Sequence, residues 1–596
     1  MVVVLVACGS DEPGNEAPDP YDPVGDIAFI AVNIQDANVL GRATTDGGFA
    51  YGTPENESKI NNAHFYFFDE NGVYTELEAS IWREGGMNPA YPDANVEHFG
   101  KNIIVLQGLQ AVGYPKYMLT VINAPVNYHP EATLEATAKA LASWGETANF
   151  MMTTTSYYGG ANANHTDKYY YANVLQPENF LKQTPGSDPT ASGANGGAQY
   201  VNVYVERLAV KVQVTLDASL ESKTLPDGSV IYALPVTVAG GDNTNHEGSE
   251  QNVAETKLYA KFSNWGLNVT AKNSYVSKNL DGWNAETTFP AWGNTSTWNA
   301  GLFFRSFWGK SVGYGKDISE DTHNFVTYND LSVPFAKGEN AAVAAYCNEN
   351  TNIPSKINTT VTEMIGGVPT QVAKVDHSKV TSVLLQAELC DENGSGLTMV
   401  LHNGVLFFED AYVRYVLNLA GPFYTRSQNA DGETVFTKYT STAGFTCSHS
   451  DASATKVVCA DPTALTGVEL WKIKSTAIDL TSEDSFEPVS VDSFIAAVDA
   501  AQAGREATRY NNGAMYYNIP IGHQATVGNT IDMEGYYGVV RNHWYKLNIT
   551  KIMRIGVAVN NPEEIIIPKP EIPEYYLGAD INILSWKVLD QDVPLN

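Results

Sequence analysis

The residues best equipped for chemistry are thinly spread along this sequence. His246-Glu247-Gly248-Ser249-Glu250 opens like a zinc-peptidase helix, but no second histidine stands four residues on, so a metal there would lack a ligand. Asp391-Glu392-Asn393-Gly394 offers oxygens that suit calcium, yet a turn between strands is the favoured reading. There is no GxSxG elbow, no GxxxxGK[ST] phosphate loop and no GxGxxG strand–helix junction. Carboxylates abound, but no spacing singles out a glycosidase pair. Cys347, Cys390, Cys447 and Cys459 follow no CxxC or zinc pattern. In an exported chain Cys447 and Cys459 are candidates for a loop-closing disulfide, with free buried thiols the equal alternative. The expectation is a non-enzyme with no catalytic residue, no metal and no cofactor.

Two residues near the N-terminus are better placed for covalent processing. Met1–Cys8 reads MVVVLVAC, far short of the about 20 apolar residues that span a bilayer, and is read as an export signal truncated at its N-terminus. Leu5-Val6-Ala7-Cys8 matches the bacterial lipobox, in which small residues admit the peptidase and the cysteine thiol, here Cys8, is acylated, for instance with palmitate. The acidic, proline-rich run Asp11–Pro23 that follows reads as a tether. Arg42, before Ala43, is the lone basic residue in Asp36–Gly48 and the only arginine in the first 82 residues. That isolation marks the Arg42–Ala43 bond as the one that the resemblance set out below assigns to an Arg-specific protease.

The elements that must position these residues are mostly strands. The chain has 596 residues, enough for several domains each with its own core. Hydrophobic content of 43% excludes wholesale disorder, and the richness in Tyr and Thr favours strands. Lys+Arg number 36 against 67 Asp+Glu, a net charge of −31 that repels phosphate backbones, so no nucleic-acid partner is expected. Asn62–Phe68, the turn Asp69–Gly72 and Val73-Tyr74 predict a hairpin. Further strands are predicted at Asn102–Leu106, Lys116–Asn123, Val201–Leu216, Val383–Leu389, Val405–Phe408 and Tyr412–Leu419, with short helices at Thr133–Ser143 and Ser493–Ala503. Gly159–Thr166 and Gly186–Gly197 read as exposed loops, and no solenoid or propeller period occurs.

Several blocks carry a family resemblance. Gly535–Gly556 reads GYYGVVRNHWYKLNITKIMRIG and resembles the C-terminal signature of Bacteroidales fimbrillins. Tyr346-Cys347-Asn348-Glu349-Asn350-Thr351, the VERLAVKVQV run of Val205–Val214 and Asn264-Trp265-Gly266-Leu267 resemble further stretches of that family. The pattern is nearest to major subunits of the short (minor) fimbriae, type V pilins, and extends from about Asp26 onward. The acidic run behind Cys8 is similar to the surface-export signal of Bacteroidales lipoproteins. Read on its own, the Arg541–Tyr545 block is a strand with Trp544 buried and Arg541 facing solvent.

The resemblance implies an all-β fold of two transthyretin-like sandwiches and an assembly route. A lipidated precursor reaches the outer membrane and an Arg-specific protease removes its first strand. A neighbouring subunit then fills the groove by strand addition. Asp26–Gln35 suits the removed strand, with Ala28, Ile30, Val32 and Ile34 on one face and Ile27 and Phe29 on the other. The donor candidate is the tail Tyr575–Asn596 behind Pro568, Pro570 and Pro573, through Ile581, Ile583, Leu584, Trp586 and Val588. The implied layout is signal 1–8, tether 9–25, removable strand and cleavage loop 26–42, sandwiches 43–280 and 281–574, and donor 575–596, with the break near Leu280. Partners would be further copies of the chain, minor, anchor and tip subunits, and host or bacterial surface receptors, in adhesion and biofilm formation. The alternatives are an anchor or tip subunit, or a surface glycan-binding lipoprotein that stacks sugars on Trp283, Trp292 or Trp298.

Overall fold

The short apolar runs pair into sheets in the computed structural model, which describes residues 27–36, 57, 61–83, 86–88, 100–143, 150–159, 169–181, 201–236, 238, 257–282, 297–299, 303–305, 308–335, 343–449, 455–477, 482–504, 507–523, 535–568 and 577–585. Strands dominate the described residues and helices are short, as expected of an all-β chain. The first sheet is built from β1 (Ile27–Asp36), β2 (Ala63–Phe68), β3 (Gly100–Gln107), β4 (Tyr117–Ile122), β5 (Met152–Thr154) and β6 (Val201–Arg207), with shorter strands at its margins. Both faces of this sheet are covered. Phe65, Phe67, Ile104, Met118 and Val203 enter one core and Tyr66, Phe68, Leu119 and Val121 enter another. Burial on both sides is why Phe65–Phe68 reads as a continuous apolar run rather than an alternation. The hairpin predicted after Phe68 forms: Asp69 Oδ1 accepts from the amides of Asn71 at 2.9 Å and Val73 at 2.8 Å, and Gly72 supplies the left-handed φ of 76°.

The run Val201–Leu216, expected as one strand, is two. Beyond Leu208 the chain leaves the first sheet and becomes β7 (Ala209–Leu216), which belongs to a different one. From Ala209 to Asn268 the described strands pair with one another or with later parts of the chain. Ser274–Tyr275 then returns to pair with Leu141–Ala142. Pairing therefore changes partners at Leu208, well upstream of the break expected near Leu280.

The second region is a two-sheet core. One sheet holds β8 (Tyr259–Asn268), β10 (Ser382–Cys390) and β11 (Ala514–Pro520). The other runs β9 (Ala344–Asn348), β7, β12 (His543–Ile552), β13 (Leu577–Ser585). Val210, Val212, Trp265, Leu385, Tyr517 and Tyr545 from both sheets share one core. Between β10 and β11, which are hydrogen-bonded neighbours, the chain makes an excursion through residues 399–507 with a core of its own around Tyr412, Val416, Phe423, Leu470 and Phe494. No sequence signal separates this module from its host, because its strands are as short and apolar as theirs.

Three helical expectations are corrected. Tyr412–Leu419 is not a strand but most of α2 (Glu409–Leu419): Tyr412, Val413, Val416 and Leu417 are buried at helical spacing, and Arg414 pairs with Asp410 one turn back at 2.6 Å. Its aromatic and β-branched residues mimic strand composition, and tertiary packing overrides that preference. Thr133–Ser143 shortens to α1 (Leu134–Ala138), because Leu141–Ala142 is used as a strand. The last helix, α3 (Val491–Ala501), starts two residues before the expected Ser493, capped by Ser490 Oγ.

Gly513 closes the excursion at φ 76°, where an added Cβ would lie 2.1 Å from the Leu389 carbonyl oxygen. Gly513→Ala should cost at least about 2 kcal/mol in chemical denaturation, since both the backbone angle and the contact are forbidden. His64 on β2 is stacked on Tyr66, and burial, with His129 nearby, pulls its pKa down to about 4. The unfolded chain thus binds the extra proton first. Stability should be full above about pH 6.5 and fall as pH drops from there toward 4, and His64→Gln should flatten that slope in pH-dependent melting.

Candidate strand-exchange site and the seam beside it

β1 lies inside the first sheet, not at its rim. It runs antiparallel to β3, from Ile27 opposite Gln107 to Ile34 opposite Gly100, and parallel to β6, from Val32 opposite Val201 to Asp36 opposite Val205. Its N-terminal half also meets Phe180–Leu181. Ile30 and Val32 are 0% exposed in the core formed with Phe65, Ile104 and Val203. Of the predicted strand residues, Ile27, Phe29 and Ile34 take the register positions opposite Gln107, Val105 and Gly100. Withdrawing β1 would leave β3 and β6 without their shared neighbour and open the core along it.

The predicted donor strand occupies a rim. β13 pairs antiparallel with β12 alone, placing Ile581 opposite Leu547, Ile583 opposite Tyr545 and Leu584 opposite Trp544. It is thus the last strand of its own sheet, with one neighbour among the described residues.

Between the two sheet systems lies a band of buried charge. Lys278 and Glu206 meet at 2.8 Å with both side chains 0% exposed, and Arg541 and Glu349 at 3.5 Å likewise. Arg541 also donates to Ser274 Oγ at 2.7 Å and to the carbonyls of Tyr275 and Val276 at 2.6 and 3.1 Å. The solvent-facing role read for Arg541 is therefore wrong: its planar guanidinium serves the hydroxyl and two carbonyls of the Ser274–Val276 segment at once. Lys211 binds Glu57 at 2.8 Å and lies 4.0 Å over the buried Trp544 ring, while Tyr346 donates its hydroxyl to the same carboxylate. Desolvation lowers the pKa of Lys211 despite that partner and raises that of Tyr346. Arg207, the last residue of β6, donates to the Glu57 carbonyl at 2.8 Å and to Asn542 Oδ1 at 3.3 Å. Glu57, Glu206 and Arg207 come from the first half of the chain, and Glu349, Arg541 and Asn542 from the second. Sequence reasoning flagged the VERLAVKVQV and Arg541 blocks as family marks but gave these charges no partners.

The remaining candidates fall as follows. Cys8, Arg42, Ala43, Trp586 and Val588 lie outside the described residues, as do His246, Trp283 and Trp292. Cys447 and Cys459 are free thiols, not a bridge. They stand on paired strands, opposite Val457 and Phe445 respectively, which sets them diagonally rather than face to face. Asp391–Gly394 is the turn expected: Asp391 Oδ1 accepts from the amides of Asn393 and Ser395.

The described residues thus bring together a band of buried charge, a first strand bonded on both sides and a strand at the rim of its sheet. Residues 508–592 match the family model of the C-terminal domain of fimbrillin, described as the type IV major fimbrial subunit protein. The match begins where the excursion rejoins β11 and takes in β11, β12 and β13. Over residues 508–592, then, the chain is similar to the fimbrillin C-terminal domain. No curated protein matches it. Among solved structures, a fimbrilin from Porphyromonas gingivalis W83 is 12% identical, covering 94% of this chain and 98% of its own, at a TM-score of 0.28. The tip fimbrial protein Mfa3 from P. gingivalis is 8% identical, covering 94% and 100%, at 0.27. A candidate cell adhesion protein from Parabacteroides distasonis ATCC 8503 is 11% identical, covering 94% and 98%, at 0.34. At such scores the superpositions place no residue of this chain.

Lys278→Met should destabilise the chain by about 3–5 kcal/mol, because Glu206 is left charged and unpaired out of water. The double change Lys278→Met with Glu206→Leu should recover most of that loss in urea unfolding, which separates the buried charge from mere packing.

Proposed function

We propose that this chain is a shaft-forming fimbrial subunit that polymerises by exchanging strands between copies. The placement of β1 carries the reading. A strand bonded on both sides, covering Ile30 and Val32, precedes the arginine at Arg42 and is the one whose removal opens a groove long enough for a partner strand. Each buried apolar side chain favours refilling by about 1.5–3 kcal/mol, and each re-formed backbone hydrogen bond adds about 1 kcal/mol. The edge position of β13 supports its use as the incoming strand, since it has one neighbour to lose rather than two. In this reading Cys8 carries the lipid that brings the precursor to the outer membrane, and cleavage between Arg42 and Ala43 releases β1. The fimbriae then serve adhesion to host or bacterial receptors and biofilm formation, together with minor, anchor and tip subunits. Glu57 lies beyond the cut, so the seam survives maturation. A tip role is the second reading, favoured by the extra module at 399–507.

Treating the full precursor with an Arg-specific protease should yield filaments by electron microscopy whose subunits begin at Ala43. Arg42→Ala should block them, and Ile583→Asp or truncation after Gly578 should leave folded monomer. Filaments whose subunits still contain Ile27–Ile34, or normal polymerisation of the truncated chain, would overturn strand exchange. A truncated chain that caps filament ends would establish the tip reading.

A further inference from the structure

The surface of the first sheet opens into a cavity of about 310 Å³ where the hairpin turn behind β2 meets the start of α1. Its walls include Tyr117, Tyr170 and Tyr171, with Glu70, Asn71 and Glu135 supplying polar groups. The walls are fixed to one another. The Leu134 amide donates to the Gly72 carbonyl at 2.8 Å and the Tyr74 amide to the Ala132 carbonyl at 3.0 Å. Lys139 holds Glu135 at 2.8 Å and Asp281 at 2.6 Å. Tyr170 lies on the end strand of a small sheet in which Tyr158, Phe304 and Trp298 occupy positions on the three other strands.

We propose that this cavity binds a neutral hexose ring of a surface glycan. Tyrosine rings present flat apolar faces to the C–H face of a pyranose, while their hydroxyls, the Asn71 amide and the two carboxylates suit its ring of hydroxyls. The volume lies at the small end of ligand pockets, fitting one sugar rather than an extended peptide. Burial, with Glu135 nearby, pushes the Tyr171 hydroxyl up to about 12, so it remains a hydrogen-bond donor at neutral pH. Glu70, Glu135 and the −31 net charge oppose an acidic sugar. A simple cation gains less there, because Lys139 already neutralises Glu135. The proposal rests on the adhesion part of the function above and not on polymerisation, so filament assays and sugar binding succeed or fail separately.

The test uses the full chain and saturation-transfer NMR with galactose-, mannose-, fucose- and N-acetylglucosamine-terminated oligosaccharides, alongside their sialylated forms. At least one neutral glycan should bind, and a sialic acid cap on it should abolish binding. Glu70→Gln in the exposed turn and Tyr170→Ala should each weaken binding about tenfold without changing the melting temperature, while Tyr170→Phe should retain it. The inference is overturned if no neutral glycan binds at millimolar concentration, if sialylated forms bind equally, or if binding is unchanged in Glu70→Gln and Tyr170→Ala. Should fimbriae adhere to cells while the purified chain binds no neutral sugar, the adhesion reading stands and this site falls.

Discussion

Taking charge out of water is the constraint around which this molecule is arranged. Lys278–Glu206 and Arg541–Glu349 are fully buried pairs, and Lys211–Glu57 is nearly so. Each partner removed from such a pair leaves a charge that the interior cannot solvate, so the elements carrying them can occupy only one relative position. A hydrophobic seam of equal area would tolerate sliding. A seam of paired ions and guanidinium–carbonyl bonds does not, and the Arg541 bonds to Ser274, Tyr275 and Val276 add direction to charge.

The junction is economical in sequence. Arg207 ends β6 and Lys211 stands within β7, so a few residues around Leu208 belong to two sheets and to the charged band between them. Glu57 gathers Arg207 and Lys211 from this one stretch and Tyr346 from another. The link between the first sheet and the second region is thus held by residues outside β1.

β1 lies within its sheet and β13 at the rim of another, whereas the excursion at residues 399–507 and the tyrosine-lined cavity by α1 add surface that neither sheet requires. The fimbrillin match begins only at residue 508, after the excursion has returned.

Much of this was legible before any coordinates. Alternation and turn residues predicted the hairpin at Asn62–Tyr74 and the strands around Tyr117–Ile122 and Ser382–Cys390, because one residue's step to the opposite face is a local property. The apolar run Ile27–Ile34 was readable as a strand, and the Gly535–Gly556 block as a fimbrillin mark. Three things were not legible. The break at Leu208 is hidden because both halves of Val201–Leu216 are equally strand-like and only their partners differ. α2 is hidden because Tyr412, Val413 and Val416 have strand composition, and the helix is decided by what they pack against. The seam is hidden because Arg541 and Glu349, or Lys278 and Glu206, are distant in sequence, and a charge reads as solvent-facing until its partner is known. The sequence by itself determined the all-β class, the acidic surface and the apolar first strand, all of which follow from local pattern and composition. Tertiary structure alone decided which strands neighbour one another and which charges are buried, since pairing and desolvation are properties of contacts the chain makes across hundreds of residues.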